Sequence, residues 1–202
     1  MKYPFFASFI VFCLTLMYTI FRIRNKEAKE YQKYIDEETK ANNTRRKPLD
    51  NLNYITIPFD TLPMDVLATD ETVSDYHNTL KSLSENPIVN LTGLSNTELK
   101  LQYGAPNLDI LSSYDQSYTI LARTLNDWAH FLYENDYIFE AKNVLEFSIS
   151  TNTDVTASYI LLAQIYKSNN NSDKIKELIK VASQINSLMS KNIVKKLESM
   201  LD

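Results

Sequence analysis

The sequence predicts an all-α protein of antiparallel helix hairpins, with an N-terminal transmembrane helix and an extended arm before the helical body. Three observations lead there. Only two glycines occur in 202 residues, Gly93 and Gly104, whereas tight strand turns and phosphate-cradling loops depend on glycine's positive φ. From residue 71 onward, apolar side chains recur at helical spacing between capping residues. In the last third a pattern repeats after 34 residues. Leu125, Trp128-Ala129, Leu132, Ala141, Leu145 and Ser148 are followed by Tyr159, Leu162-Ala163, Tyr166, Ile175, Ile179 and Ala182.

The elements follow in order. Residues 1–21 form the anchor, because Tyr3 to Phe21 is uncharged and rich in Phe, Ile, Leu and Val. At ~1.5 Å per residue it spans roughly 28 Å, matching the ~30 Å hydrocarbon core. Ile20-Phe21 leads directly into Arg22-Ile23-Arg24 without a small-residue cleavage site, which favours a retained anchor over a cleaved signal. Arg22, Arg24, Lys26, Lys29 and Lys33 outweigh Lys2 across the span, so the positive-inside bias puts the carboxyl side in the cytoplasm.

Residues 22–47 read as a basic helical stalk. Opposite charges stand four apart, as in Lys26 with Glu30, Lys33 with Glu37 and Asp36 with Lys40. Asn42-Asn43-Thr44 and Pro48 end it. Arg45-Arg46-Lys47 either touches lipid headgroups or is a soluble linker. Residues 48–69 alternate Leu52, Tyr54-Ile55, Ile57 and Phe59, and Pro58 and Pro63 prevent a helix. That reads as an arm laying apolar residues on the body, or as a partner's docking strand.

Residues 70–202 form the helical domain. Asp70 is an N-cap for a helix at about 71 to 84, with Val73, Tyr76, Leu80 and Leu83 on one stripe. Residues 88 to 93 form an ordered apolar connector. Ser95 and Glu98 form a capping box for a helix that Gly104 closes, with Pro106 shortly after. Residues 107 to about 134 read as one long helix or as two broken near Ser112-Ser113. Helices at 137 to 150, 155 to 168, 172 to 187 and 190 to 201 follow, with Ser172 and Ser190 as N-caps and Asn169-Asn170-Asn171 as a loop.

The recurrence resembles the tetratricopeptide repeat, in which a large residue, a leucine beside a small residue and a tyrosine lie on helix A, and an alanine lies where helix B crosses. Alanine has a packing role there, because only small residues let helix backbones approach closely. The units fall at about 122–155 and 156–189, with a capping helix at 190–201. Departures are alanine for the family's glycine in both units, Ile175 for the second helix-B alanine, and Thr153 and Ser187 for the closing proline. Two units are fewer than the usual minimum of about three, which leaves the helices at 71 to 121 to supply a neighbour. A generic helical bundle produces the same apolar spacing. The resemblance implies a short solenoid that binds a protein or peptide. Its groove positions fall on Arg123, Asn126, His130 and Tyr133 in the first unit, and on Ala157, Ile160, Gln164 and Lys167 in the second. Arg123, Asn126 and Lys167 either clamp a peptide carboxylate or are solvated helix surface.

Composition excludes several other classes. Two glycines eleven positions apart cannot write a nucleotide-binding GxxxxGK[ST] or GxGxxG. Cys13 is the single cysteine, so no intramolecular disulfide or cysteine-based zinc site forms. Arg22 to Lys47 carries nine basic and five acidic side chains, net +4. From Pro48 onward eleven basic face twenty acidic, net −9. An acidic body repels nucleic acid and anionic lipid, while the basic stalk favours a lipid surface. His77 and His130 lie on different helices and belong to no HExxH or comparable pair. The expectation is therefore no catalytic, metal or cofactor site, and a membrane-anchored scaffold whose partner is a protein or peptide rather than nucleic acid. The rivals are an envelope-assembly factor with a translocated body, and an unrecognised membrane-tethered enzyme using His130, Arg123 and Asp127.

Overall fold

The computed structural model describes residues 4–201, with side chains from residue 8 onward. Met1, Lys2 and Tyr3 of the expected anchor, and Asp202 of the expected helical domain, lie outside the described residues. Eight α-helices are present, and among the described residues no strand forms beyond one antiparallel bridge, Tyr54 with Val89. The chain divides into two compact units, residues 1–47 with 96–107, and residues 48–95 with 108–202.

The first unit is dominated by α1, Pro4–Asn42, one continuous helix. Its part from Ser8 includes an 18-residue window apolar enough to cross a membrane, and none of that window is buried within the protein. Beyond the window, Lys26 pairs with Glu30 at 3.7 Å and Lys33 with Glu37 at 3.8 Å. The expected Asp36–Lys40 pair is replaced, because Asp36 accepts a 2.9 Å bond from Gln32 one turn earlier. α2 is Glu71–Ser84 and belongs to the second unit. α3, Asn96–Tyr103, packs on the end of α1. Glu38 accepts from Lys100 at 2.5 Å and from the Thr97 hydroxyl at 2.6 Å, and Lys100 also reaches Asn42 at 2.8 Å. A 3-10 turn, Ala105–Asn107, follows. Its Asn107, 1% exposed, accepts from the Arg46 guanidinium at 2.8 Å and donates at 2.8 Å to the carbonyls of Lys47 and Tyr103. The Lys47 ammonium donates to the Leu101 carbonyl. Two of the three cations in Arg45-Arg46-Lys47 are thus tied into the unit. Gly104, at φ +95°, is held where any Cβ would collide with the Arg45 carbonyl and the Arg46 Cα, so no other residue fits without moving the chain.

In the second unit the arm lies on the body. Leu52, Ile57 and Leu62 are buried, and the Ile55 amide donates to the Ile88 carbonyl. Asp70 caps α2 by accepting from the amides of Thr72 and Val73, satisfying two of the donors that a helix start leaves free. The connector's Ile88, Val89 and Leu91 are buried. Leu91 donates its amide to Asp115 of α4.

α4 is a single 27-residue helix, Leu108–Glu134, unbroken at Ser112-Ser113. Ser113 donates its hydroxyl to the Ile110 carbonyl and so stays compatible with the helix. α5, α6, α7 and α8 span Ile138–Ser150, Thr156–Ser168, Ser172–Gln184 and Ser190–Glu198. Two capping expectations are corrected. Asn171 caps α7 by accepting from the Lys174 amide, because Ser172 is already helical. Ser190 is likewise already inside α8, and its hydroxyl donates to the Ala182 carbonyl of α7 at 2.7 Å. α7 also stops at Gln184 rather than residue 187, since Ile185 turns extended, at ψ 129°, and is buried.

Each helix from α4 to α8 packs on the next, and α4 on α6 and α6 on α8. Of the recurring positions, Ile179 is partly buried and all the others are buried, Trp128, Leu145, Tyr159 and Ala163 completely. The backbone recurs as well. Asp136 and Asn170, 34 apart, both adopt positive φ, 67° and 53°. The amides of Tyr137 and Asn171 then bond back to the carbonyls of Leu132 and Tyr166. This is the six-to-one closure of a Schellman motif, so both hairpins turn the same way at the same offset.

Candidate peptide-binding face

Arg123, Asn126, His130 and Tyr133 are spaced three and four apart and form one stripe along α4; Ala157, Ile160, Gln164 and Lys167 form its counterpart on α6. The two stripes adjoin, because the Ser158 hydroxyl donates to the Asn126 carboxamide oxygen at 3.0 Å. Arg123, Gln164 and Lys167 are exposed, Tyr133 is 36% exposed, and Asn126 and His130 are half-buried.

Two of these residues have already committed their polar atoms. Asn126 holds Ser158 and donates to Asp127 at 3.0 Å. The Lys167 ammonium donates to the Met200 carbonyl at 2.6 Å beyond the end of α8, where a cation meets the negative end of a helix dipole. Arg123 and Gln164 have side chains open to solvent. His130 Nε2 is buried without a hydrogen-bond partner among the described residues. Of the three expected clamp residues, Arg123, Asn126 and Lys167, only Arg123 keeps its polar atoms open to solvent, and among the other groove positions Tyr133 and Gln164 are exposed while His130 is half-buried.

Neighbouring helices fix the α4 stripe. Tyr76 of α2 meets Phe131 edge to face with centroids 6.5 Å apart, and His77 meets Trp128 at 5.0 Å and 83°. Edge-to-face geometry sets the positive edge of one ring on the negative face of the other. His77 is 6% exposed and its Nε2 has no hydrogen-bond partner among the described residues. Burial, with Lys81 as a second cause, holds His77 below its ordinary pKa of 6.5, so a neutral imidazole packs on the indole. His77 thus supports the core from α2. Tyr166 anchors the second hairpin by donating to Glu146 at 2.7 Å, and burial raises its phenol pKa well above 10.

A second concavity went unnoticed in the sequence. At the end of the body where α5 meets α6 and α7 meets α8, an open cleft of about 600 Å³ lies beside the arm. Its polar lining is neutral: Asn53 and Asn90, then Asn152, Gln184 and Asn186 beside Tyr54. Asn90 donates to the carbonyls of Thr151 and Asn152, both at 3.0 Å. The Asn186 carboxamide donates to the Gly93 carbonyl at 3.3 Å, and Gly93, at φ +83°, lies so close that a Cβ would overlap the Asn186 carbonyl. The sequence signal was the asparagines between helices, of which Asn152 takes positive φ. Nothing in their spacing shows that four separate segments, around residues 53, 90, 152 and 186, converge.

Among the described residues no group of three or more His, Cys, Asp or Glu side chains is placed to hold a metal ion. His130, Arg123 and Asp127 share one helix, and among the described residues their side chains make no hydrogen bond to one another. Comparison with family models, curated proteins and solved structures finds no match to the chain.

Proposed function

We propose that this protein is a membrane-anchored, non-enzymatic scaffold that holds a protein or peptide on the α4–α6 face of a body resembling tetratricopeptide repeats. One observation carries the reading. The 34-residue recurrence extends from side chains to backbone, with buried positions and helix-closing turns both repeating at that interval. Stacked hairpins of this kind leave successive first helices side by side, and such faces suit extended or helical peptides. α2, packed on α4, serves as the neighbour that two repeats lack.

The exposed, apolar window of α1 supports anchoring, and the excess of cations after it supports a cytoplasmic body. A photo-crosslinking residue replacing Tyr133 or Gln164, in native membranes, is expected to capture a discrete partner. The same residue replacing exposed Ser183 on α7 is not. Equal capture at all three positions, or none, with reproducible turnover by the purified protein, overturns the scaffold reading. For orientation, Ser150→Cys in a Cys13→Ser background is expected to resist an impermeant thiol reagent in intact cells. Labelling there puts the body outside.

A further inference from the structure

Between the arm and α2 lies a pocket that shares no residue with the α4–α6 stripes. It is an open hollow of about 450 Å³, inside the roughly 300–1,000 Å³ range of small-molecule sites. The arm supplies an apolar wall of Phe59, Met64 and Ala68. α2 supplies His77, Asn78 and Lys81, with Lys81 one turn beyond the other two. Both sides are fixed. Leu62, between Phe59 and Met64 in the chain, is buried in the core. Leu67, at φ +50°, turns the arm toward the Asp70 cap in a conformation that bulky side chains rarely adopt. His77 is 6% exposed and packs on Trp128 at 5.0 Å.

The charge of this pocket runs against its surroundings. From Pro48 to Ser95 the chain carries seven carboxylates and a single cation, Lys81, and none of those carboxylates lines the pocket. Lys81 is exposed and makes no ion pair among the described residues, although Glu85 follows it by four positions. Asn78, also exposed, has no side-chain hydrogen bond among the described residues. Burial first, and then the charge of Lys81, hold His77 below its ordinary pKa, so the field of the ammonium reaches the pocket wall. An ammonium and a carboxamide donor suit the two oxygens of a carboxylate, while the wall removes an attached hydrocarbon from water. One lysine balances one negative charge, and a dianion would leave an excess beside an already acidic segment.

We propose that this pocket binds an apolar carboxylate, with Lys81 and Asn78 on its oxygens and Phe59, Met64 and Ala68 around its hydrocarbon part. A free aliphatic acid and the carboxyl-terminal apolar residue of a peptide present this same group. The site stands apart from the scaffold reading, since it uses neither the α4–α6 face nor the repeat.

The test titrates the full chain, in a detergent without carboxylates, with hexanoate, hexanamide and N-acetylleucine. Binding is followed by emission of Trp128, the single tryptophan, and by broadening of the ligand's magnetic resonances. Hexanoate is expected to bind at least about five-fold more tightly than hexanamide. Lys81→Gln is expected to bring the two together. Ala68→Phe, which fills the pocket from an exposed position, is expected to weaken both. N-acetylleucine binding more tightly than hexanoate supports a peptide terminus as the source, and more weakly a free acid. Equal binding of hexanoate and hexanamide by the parent, a preference that survives Lys81→Gln, or no saturable response in either readout overturns the proposal.

Discussion

The two compact units are held by different forces. The second is built on buried apolar side chains, with Trp128, Leu125, Leu132, Leu145, Tyr159 and Leu162 at 1% exposure or less. The first buries little beyond Ala41, Leu99 and Asn107, and rests on directed polar contacts. Apolar burial is non-directional and scales with area, so the second unit accepts many sequences of similar pattern. Hydrogen-bonded closures depend on single groups and fail when one partner is removed. Volume changes therefore test one unit, and removal of a donor or acceptor tests the other.

The largest effect expected is from Trp128→Ala. The indole is fully buried and carries both the contact to His77 and the crossing of α4 with its neighbours. A loss of about 3–5 kcal/mol is expected in denaturant unfolding of the detergent-solubilised full chain, followed by near-ultraviolet circular dichroism. A midpoint within error of the parent would mean that the repeat core is not where this unit's stability resides.

Asn107→Ala comes next. It leaves the Lys47 and Tyr103 carbonyls and the Arg46 guanidinium without their partner, at a cost of about 1–3 kcal/mol. Hydrogen exchange is expected to rise in residues 43–47 and 96–107 while residues 108–201 stay protected. A uniform rise would erase the contrast between the units.

Acidification separates them by order. His77 titrates below its unfolded value of 6.5, so below that pH the unfolded chain binds the extra proton. Stability of the second unit then declines as pH falls from 6.5 toward the folded value. Glu38 is held below 4.5, chiefly by its hydrogen bond to Lys100 and then by that to Thr97. Its contribution is intact above 4.5 and is lost only as pH falls from there toward its folded value. Tryptophan fluorescence is thus expected to change at higher pH than exchange at residues 96–107, and His77→Gln to remove the earlier change.

The smallest effect is expected from Tyr166→Phe. It deletes one 2.7 Å bond to Glu146, itself paired with Lys142 at 3.6 Å, and about 1 kcal/mol is expected in the same unfolding experiment. A larger loss would show that the second hairpin also depends on a directed contact.

Legibility follows the same division. The hairpins were readable because helical periodicity and recurrence are local signals: Trp128 with Leu162 and Ala129 with Ala163 announce their burial through spacing alone. Asp70 was readable as a cap for the same reason. Asn107 was not, since its partners Arg46 and Lys47 lie about sixty positions earlier. The candidate face was half legible. Spacing put Arg123, Asn126, His130 and Tyr133 on one stripe, but it could not show that Ser158 takes Asn126 or that Met200 takes Lys167.

By itself, then, the sequence determined the all-α class, most of the helices and their order, the apolar first half of α1 and the 34-residue interval, because each is set by neighbours within a few turns. Tertiary structure alone decided that residues 96–107 group with α1 rather than with the repeats, which amides line the cleft, and which polar side chains remain free to bind. Those outcomes depend on contacts between distant segments, where geometry selects one partner from many chemically equivalent candidates.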